Sequence, residues 1–314
     1  MDSSMYDSII IGAGPAGSTA GLYAARASLN VLVVERGMPG GQIATSHLVD
    51  NYPGLPDIGG VELGERMRAH AEAAGASFEY GAIEQIRRGE PGFEVDVDGK
   101  TLMARTVIVA SGAVPRPAGF KGEDFFRGRG ISYCATCDGM FYRNKTVYVV
   151  GGGNSACEEG LFLSNIAKHV VMLVRRDEFR ASRGRVDLLL AQNNVEVRYL
   201  TSIVEVTGER IIGSITFEHN DTKERYVETF DEGSAGVFVF TGNDPVVELV
   251  RPYVTFGPDG GVITDDSMST DTPGLFCAGD MRSKRLRQVI TAASDGAIAA
   301  TAAYEYIQSL ASNS

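Results

Sequence analysis

Asp7-Ser-Ile-Ile-Ile11 runs into Gly12-Ala-Gly14-Pro15-Ala16-Gly17, and the arrangement returns where Thr146-Val-Tyr-Val-Val150 runs into Gly151-Gly-Gly153-Asn154-Ser155-Ala156. In each copy a short apolar run reads as a strand, and the glycine-rich turn opens a helix, to about Ser28 in the first and about Ala167 in the second. A second apolar strand follows, at Val31–Val34 and at Val170–Val174. Each copy also has a later partner strand: Thr106–Ala110 leads into Ser111-Gly112-Ala113, and Val237–Phe240 into Thr241-Gly242-Asn243. A strand that ends in a small residue and a glycine lets a ligand approach the backbone, so Ala110 and Gly112 become candidate contacts. The fold class is therefore α/β, with two related dinucleotide-binding, Rossmann-like units.

The units do not divide the chain in half. The segment from Thr272-Pro-Gly-Leu-Phe-Cys-Ala-Gly-Asp280 into an alanine-rich helix, about Gln288 to Leu310, has no glycine-rich turn of its own. It is expected to complete the first unit, with the second inserted between the two parts: residues 1–115, then 116–243, then 244–314. Turn residues mark both crossings, at Pro115-Arg-Pro117 and Asn243-Asp-Pro245.

In such turns the first glycine permits the bend and the second admits a pyrophosphate. The third small residue packs helix on strand, and the helix N-terminus faces the phosphates. Preference is set at the end of the second strand. There the first copy has Glu35, whose carboxylate accepts from ribose hydroxyls and repels a 2′-phosphate, so FAD or NAD fits. The second copy has Arg175, with Arg176 and Arg180 after it, and guanidinium groups pair with a 2′-phosphate, so NADPH is expected over NADH. The alternative is a solvated cluster in which these arginines balance Asp177 and Glu178.

Composition limits the function classes. Of 314 residues, 44% are hydrophobic and 22% charged, the mix of a folded globular protein. A formal net charge of −11 argues against general binding to nucleic acid or to a membrane surface. No apolar run approaches a spanning length, and the N-terminus carries acids rather than a basic leader, so the cytosol is the expected compartment.

Cys134-Ala-Thr-Cys137-Asp138 falls in the inserted unit. Two thiols at this spacing near a helix start suit a redox-active disulfide. Zinc is the competing use, but it needs four ligands. Cys157 and Cys277 are isolated, and His47, His70, His169 and His219 show no ligand spacing. Asp138 reads either as a turn or cap residue or as a general acid for the dithiol.

Taken together these stretches resemble the low-molecular-weight bacterial-type thioredoxin reductases. Cys134-Ala-Thr-Cys-Asp-Gly-Met-Phe-Tyr-Arg143 is similar to that family's redox stretch, Gly151-Gly-Gly-Asn-Ser-Ala-Cys-Glu-Glu159 to its NADPH turn, and Arg175-Arg-Asp-Glu-Phe-Arg-Ala181 to its 2′-phosphate segment. Arg36, Gly40-Gly41-Gln42, Asn51-Tyr-Pro-Gly54, Ala278-Gly279-Asp280 and Arg287-Gln288-Val289 resemble its flavin contacts. The likeness runs from about Tyr6 to Ile307. It implies a homodimer with FAD held by residues 1–115 and 244–314, and thioredoxin or a thioredoxin-like protein as partner. It further implies that Cys137 lies nearer the flavin, that Cys134 attacks the partner, and that Asp138 donates a proton.

Three positions depart from the family pattern. Val174 stands where histidine is usual, Asn154 replaces a frequent aspartate, and Ser294-Asp-Gly296 replaces a glycine-containing turn near the flavin. Between Arg116 and Lys145 six basic residues face three acids (Glu123, Asp124, Asp138), and Arg282, Lys284, Arg285 and Arg287 form a second cluster. These patches suit an acidic protein partner, with Arg129 a docking candidate, or are simply solvated. A related flavoenzyme using ferredoxin or oxygen as its electron partner is the alternative function.

Overall fold

The computed structural model describes residues 5–38, 40–46, 49 and 51–312; His47 lies outside them. The chain divides into two compact units, Met1–Val114 with Asp244–Ser314, and Pro115–Asn243.

In chain order the first unit opens with β1 (Met5–Ile11), α1 (Pro15–Arg26), β2 (Val31–Glu35), α2 (Gly60–Ala73) and β3 (Ser77–Tyr80). The meander β4 (Ile83–Gly89), β5 (Gly92–Val97) and β6 (Lys100–Val109) follows, then the crossing strand β7 (Ala113–Pro115). The second unit holds α3 (Glu123–Phe126), β8 (Ile131–Ser132), α4 (Ala135–Asp138), β9 (Thr146–Val150), α5 (Asn154–Ser164), β10 (His169–Val174), α6 (Arg183–Leu190) and β11 (Val195–Tyr199). It continues with β12 (Thr201–Thr207), β13 (Ser214–His219), β14 (Arg225–Thr229) and β15 (Ala235–Val239). After the return crossing β16 (Asn243–Pro245) come β17 (Leu275–Cys277) and α7 (Val289–Ser312).

Among the described residues the first unit has one seven-stranded sheet, β3-β2-β1-β6-β5-β4, with β17 also paired to β6. The second has a five-stranded sheet, β11-β10-β9-β15-β8, and a three-stranded one, β12-β13-β14. The repeated motif is thus a repeated topology: the strand before each glycine turn lies between its second strand and its later partner. The register repeats too, with Ile11 opposite Val34 and Val109, and Val150 opposite Leu173 and Val239.

These parallel strands are apolar on both faces because both are covered. Ile10, Val33 and Ile108 point to the face on which α1 and α7 pack, through Ala16, Ala20, Ala292 and Ala299. Ile9, Ile11, Leu32 and Val107 point the other way, to Phe93, Val95 and Val250. In the second unit Val147, Val149 and Met172 face Ala156 and Leu163 of α5, while Tyr148, Val171 and Val237 face Ile203 and Phe217. Among the described residues no helix is long and apolar enough to cross a membrane.

Ser294-Asp295-Gly296, which stands where the family pattern has a glycine-containing turn, is interior to α7, within the helix expected from about Gln288 to Leu310. Ser294 is exposed, whereas Asp295 and Gly296 are buried. The terminal helix needs no break there, since serine and aspartate are tolerated in a helix whose neighbours are mostly alanine.

Candidate active site

The first glycine turn is a backbone cradle. Gly12 has φ +98°, and a Cβ on it would lie 2.5 Å from the Ala110 carbonyl oxygen. A Cβ on Gly17 would lie 1.7 Å from the Gly12 oxygen, so α1 presses directly on the turn. Gly14 is the N-cap of α1 and supplies no side-chain cap, while Pro15 occupies the first helical turn. The free N–H groups behind it, from Ala16 and Gly17, are those an anion uses at a helix start. The Gly40-Gly41-Gln42 loop is tied to the turn, for the Gly40 N–H donates to the Ala13 carbonyl at 3.0 Å.

Glu35 closes this cradle. Its Oε2 accepts from the Ala13 N–H at 2.7 Å and its Oε1 from the Gly37 N–H at 2.8 Å. Two bonds leave about half of a carboxylate's acceptor positions open, which suits ribose hydroxyls. Arg36 beside it is exposed. A cleft next to Glu35 is lined by Ala13, Arg68, Phe78, Glu79 and Tyr80. Arg68 lies over the rings of Phe78 and Tyr80, at 5.4 and 5.3 Å, and is fixed by Glu72. Sequence reading had no signal for Arg68, because a lone arginine on an amphipathic helix looks like any solvated one.

At the other end of the same unit, Asn51 Nδ2 donates to Gln288 Oε1 at 3.0 Å, and the Arg287 guanidinium donates to the Asp280 carbonyl and to Asp259. Val289 is the first residue of α7 and Gln288 immediately precedes it. Gly112 donates no side chain to this region, but its carbonyl accepts from Val246. Asp280, in the short turn Gly279–Met281, has a buried Oδ1 with no hydrogen-bond partner. Burial pushes its carboxyl up; Lys284 and Arg287 oppose the shift and Asp295 adds to it. A buried carboxylate oxygen is not left unmatched without reason, and a ligand hydroxyl would satisfy it.

The second unit repeats the cradle. Gly151 has φ +149°, with the Phe240 oxygen 2.5 Å from where its Cβ would be. Gly153 is the N-cap of α5 and again gives no side-chain cap, which leaves the N–H groups of Asn154, Ser155 and Ala156 at the helix start. The arginine segment folds back on this turn: the Arg180 N–H donates to the Gly152 carbonyl at 2.7 Å, and Asn154 Oδ1 accepts from the Ser182 N–H at 2.8 Å. Asn154 therefore does what an aspartate acceptor would do there. Val174 is buried and packs against Gly152, at 3.0 Å from its would-be Cβ. Arg175, Arg176 and Arg180 are exposed, and among the described residues none is in an ion pair with Asp177 or Glu178.

Cys134 and Cys137 form a disulfide. Cys134 caps α4, its Sγ accepting from the Cys137 N–H at 3.2 Å. Asp138 ends that turn, and its Oδ2 accepts from Ser132 Oγ at 2.5 Å. Ser132 also receives the Cys134 N–H, so one serine holds both the cysteine backbone and the carboxylate. Sequence reading missed it, although a serine two residues before the first cysteine is a local capping signal. Tyr142 is pushed up to about 12, by burial first and then by Asp138. Glu123 corrects the charge tally: it is buried rather than a surface acid, and accepts from the Ala118 and Gly119 N–H groups and from Tyr133. Cys157 and Cys277 are free and buried, and burial raises their thiols to about 11 and about 12. Among the described residues no group of three or more His, Cys, Asp or Glu could hold a metal ion.

Comparison with known proteins gives this arrangement its family. Residues 6–296 match the family model described as pyridine nucleotide-disulphide oxidoreductase. The chain belongs to that family. A thioredoxin reductase of Listeria monocytogenes is 39% identical over 98% of this chain and 96% of its own, and one of Bacillus subtilis is 40% identical over 98% and 97%. The crystal structure of a thioredoxin reductase from Streptococcus pyogenes matches with TM-score 0.90 and 39% identity, covering 98% of this chain and all of that one. This oxidoreductase uses FAD and NADPH. Both cradles have the uncapped helix start and close backbone approach that such cofactors need.

Proposed function

We propose that this oxidoreductase is an NADPH-dependent thioredoxin-disulfide reductase. The observation that carries the reading is one unit holding both the Cys134–Cys137 disulfide and a glycine turn flanked by three arginines that form no ion pair among the described residues. Gly151, Gly153, Asn154, Ser155 and Ala156 receive the NADPH pyrophosphate, and Arg175, Arg176 and Arg180 its 2′-phosphate. In the other unit FAD is held at Gly12, Gly14, Pro15, Ala16 and Gly17, with Glu35 and Arg36 at its ribose. Gly41, Gln42, Asn51, Ala110, Gly112, Gly279, Asp280, Arg287, Gln288 and Val289 line the rest. The domain assignment follows: residues 1–115 and 244–314 bind FAD, and residues 116–243 bind NADPH.

FAD, held by those residues, would supply the chemistry that carries an electron pair from NADPH to the disulfide. Reducing Cys134–Cys137 to two thiols consumes that pair and two protons. Asp138, held by Ser132 beside the pair, is placed to supply a proton. Cys134 then attacks the partner's disulfide as a thiolate; one partner sulfur leaves, and Cys137 attacks the mixed disulfide to release the reduced partner. Exposed Phe125 with Arg129 stacked over it at 5.0 Å, and exposed Phe141 just after the redox turn, suit docking of a thioredoxin-like protein. We further propose a cytoplasmic homodimer without nucleic-acid or membrane partners; the two unpaired buried thiols fit a reducing compartment.

Anaerobic titration with NADPH and then with thioredoxin, followed by flavin absorbance, tests the reading. The flavin bleaches on NADPH and recovers on thioredoxin. Recovery with oxygen but not thioredoxin, or bleaching by ferredoxin but not NADPH, would favour the alternative electron partners. In Cys134→Ser the remaining Cys137 thiolate gives a long-wavelength charge-transfer band with oxidised flavin, which Cys137→Ser lacks. A reversed pair of spectra would exchange the two roles.

A further inference from the structure

We propose that Asp295 is a positioning residue of the flavin site, acting through the Gly279 backbone and holding Lys284 beside Asp280. The inference rests on Asp280 being an FAD ligand. Asp295 lies near the start of α7, with its side chain about 10% exposed. One oxygen, Oδ2, accepts from the Gly279 N–H at 3.0 Å and from Lys284 Nζ at 2.8 Å, and forms an ion pair with the Arg282 guanidinium at 2.9 Å. Both cations are themselves nearly buried, at 13% and 11% exposure.

Such a cluster is a poor way to gain stability, since desolvating three charges offsets much of their attraction. Its value is in what it fixes. Gly279 immediately precedes Asp280, whose Oδ1 has no partner, so the bond from Asp295 sets the backbone that aims that oxygen. Gly279 has no room to move towards α1: a Cβ on it would stand 2.9 Å from the Ala16 side chain. Gly296, next after Asp295, presses on the same residue, for its Cβ would lie 2.0 Å from the Ala16 carbonyl oxygen. Asp295 and Gly296 thereby reference the glycine turn and the Asp280 turn to one point on α7, and both turns hold parts of one cofactor. The charges matter as well. One carboxylate against the two cations it pairs with leaves a single net positive charge, and of these groups Lys284, together with Arg287, opposes protonation of the Asp280 carboxyl while Asp295 favours it.

The test strips flavin from the full-length protein and titrates the apoprotein with FAD by flavin fluorescence. Asp280→Ala serves as the control for the underlying reading. In Asp295→Ala the FAD dissociation constant rises by about tenfold, the scale of one hydrogen bond to a charged group. Asp295→Asn keeps an acceptor for Gly279 and returns affinity close to native. It still melts earlier than the native protein, because two cations are left unpaired. A purely structural role would lower melting in both variants and leave affinity unmoved. Native affinity in Asp295→Ala with weakened binding in Asp280→Ala overturns the role given to Asp295. Native affinity in both removes Asp280 as a ligand and this proposal with it. Should Asp295→Ala fail to fold, Asp295→Asn decides through the flavin midpoint potential. With the anion gone the potential rises, and adding Lys284→Met, which restores the net charge, brings it back; an unmoved potential overturns the proposal.

Discussion

Residue for residue, the turns at Gly12–Gly17 and Gly151–Ala156 meet the same backbone. A Cβ on either leading glycine would stand 2.5 Å from a carbonyl oxygen of the later partner strand, Ala110 in one and Phe240 in the other. The helices after them both start on an uncapped glycine. The difference lies one strand further on. Glu35 is drawn into its cradle by the Ala13 and Gly37 amides, whereas Arg175, Arg176 and Arg180 stand exposed with only their backbone tied down. A pre-organised acceptor suits a cofactor that stays; exposed cations suit one that arrives and leaves each turnover. On the proposed assignment, the fold supplies a common phosphate cradle and the strand end decides what it retains.

The largest effect expected from breaking this comparison is at the leading glycines. Gly12→Ala forces a Cβ into a left-handed conformation, at about 1–2 kcal/mol, and into the Ala110 carbonyl. FAD affinity should fall on the order of a hundredfold or more, and the protein should purify nearly colourless. Gly151→Ala should stay yellow and still bleach with dithionite, but not with NADPH. Circular dichroism checks that both variants are folded. A yellow Gly12→Ala variant that no longer responds to NADPH would exchange the two assignments.

A smaller effect sharpens the comparison at the strand end. Each charged hydrogen bond to a phosphate contributes about 1.5–3 kcal/mol, so two arginines should favour NADPH over NADH by roughly two orders of magnitude or more. The double variant Arg175→Ala, Arg176→Ala should narrow that ratio chiefly by raising KM for NADPH, with kcat little changed. Steady-state kinetics with both nucleotides measures it. Equal efficiency with NADH and NADPH in the unaltered enzyme would return the arginines to the status of a wet surface.

The two units were legible because a glycine turn between a strand and a helix is a local signal, written within about thirty residues. Both strand pairs, the inserted order and the redox pair follow from such runs. What stayed hidden depends on residues distant in sequence. Asp295 reads only as part of a departure from the family pattern until α7 brings it to Gly279, Arg282 and Lys284. Glu123 reads as surface charge until Ala118, Gly119 and Tyr133 close over it. Arg68 gains meaning only when β3 places Phe78 and Tyr80 beneath it. Val174 departs from the family pattern without disturbing the turn, because its methyls fill the space beside Gly152.

The smallest expected effect concerns the sixth residue after each helix's N-cap glycine, Gly14 and Gly153. In α1 it is Ala20, wholly buried in the core; in α5 it is Glu159, whose Oε2 is buried without a partner. Burial, aided by Glu158, raises the Glu159 carboxyl from 4.5 to about 7. The folded protein therefore holds a proton there that the unfolded chain releases above the ordinary glutamate range. Between these two values the native state binds more protons, so stability falls as pH rises from about 4.5 to about 7 and then levels off. The loss is at most on the order of 3 kcal/mol. Glu159→Gln carries no ionisable group and should escape it, matching the native protein near pH 4.5 and exceeding it at pH 8. Denaturant midpoints followed by circular dichroism across that range measure the divergence. Parallel curves for the two proteins would mean that Glu159 ionises as freely when folded as when unfolded, and the contrast with Ala20 would then be one of size alone.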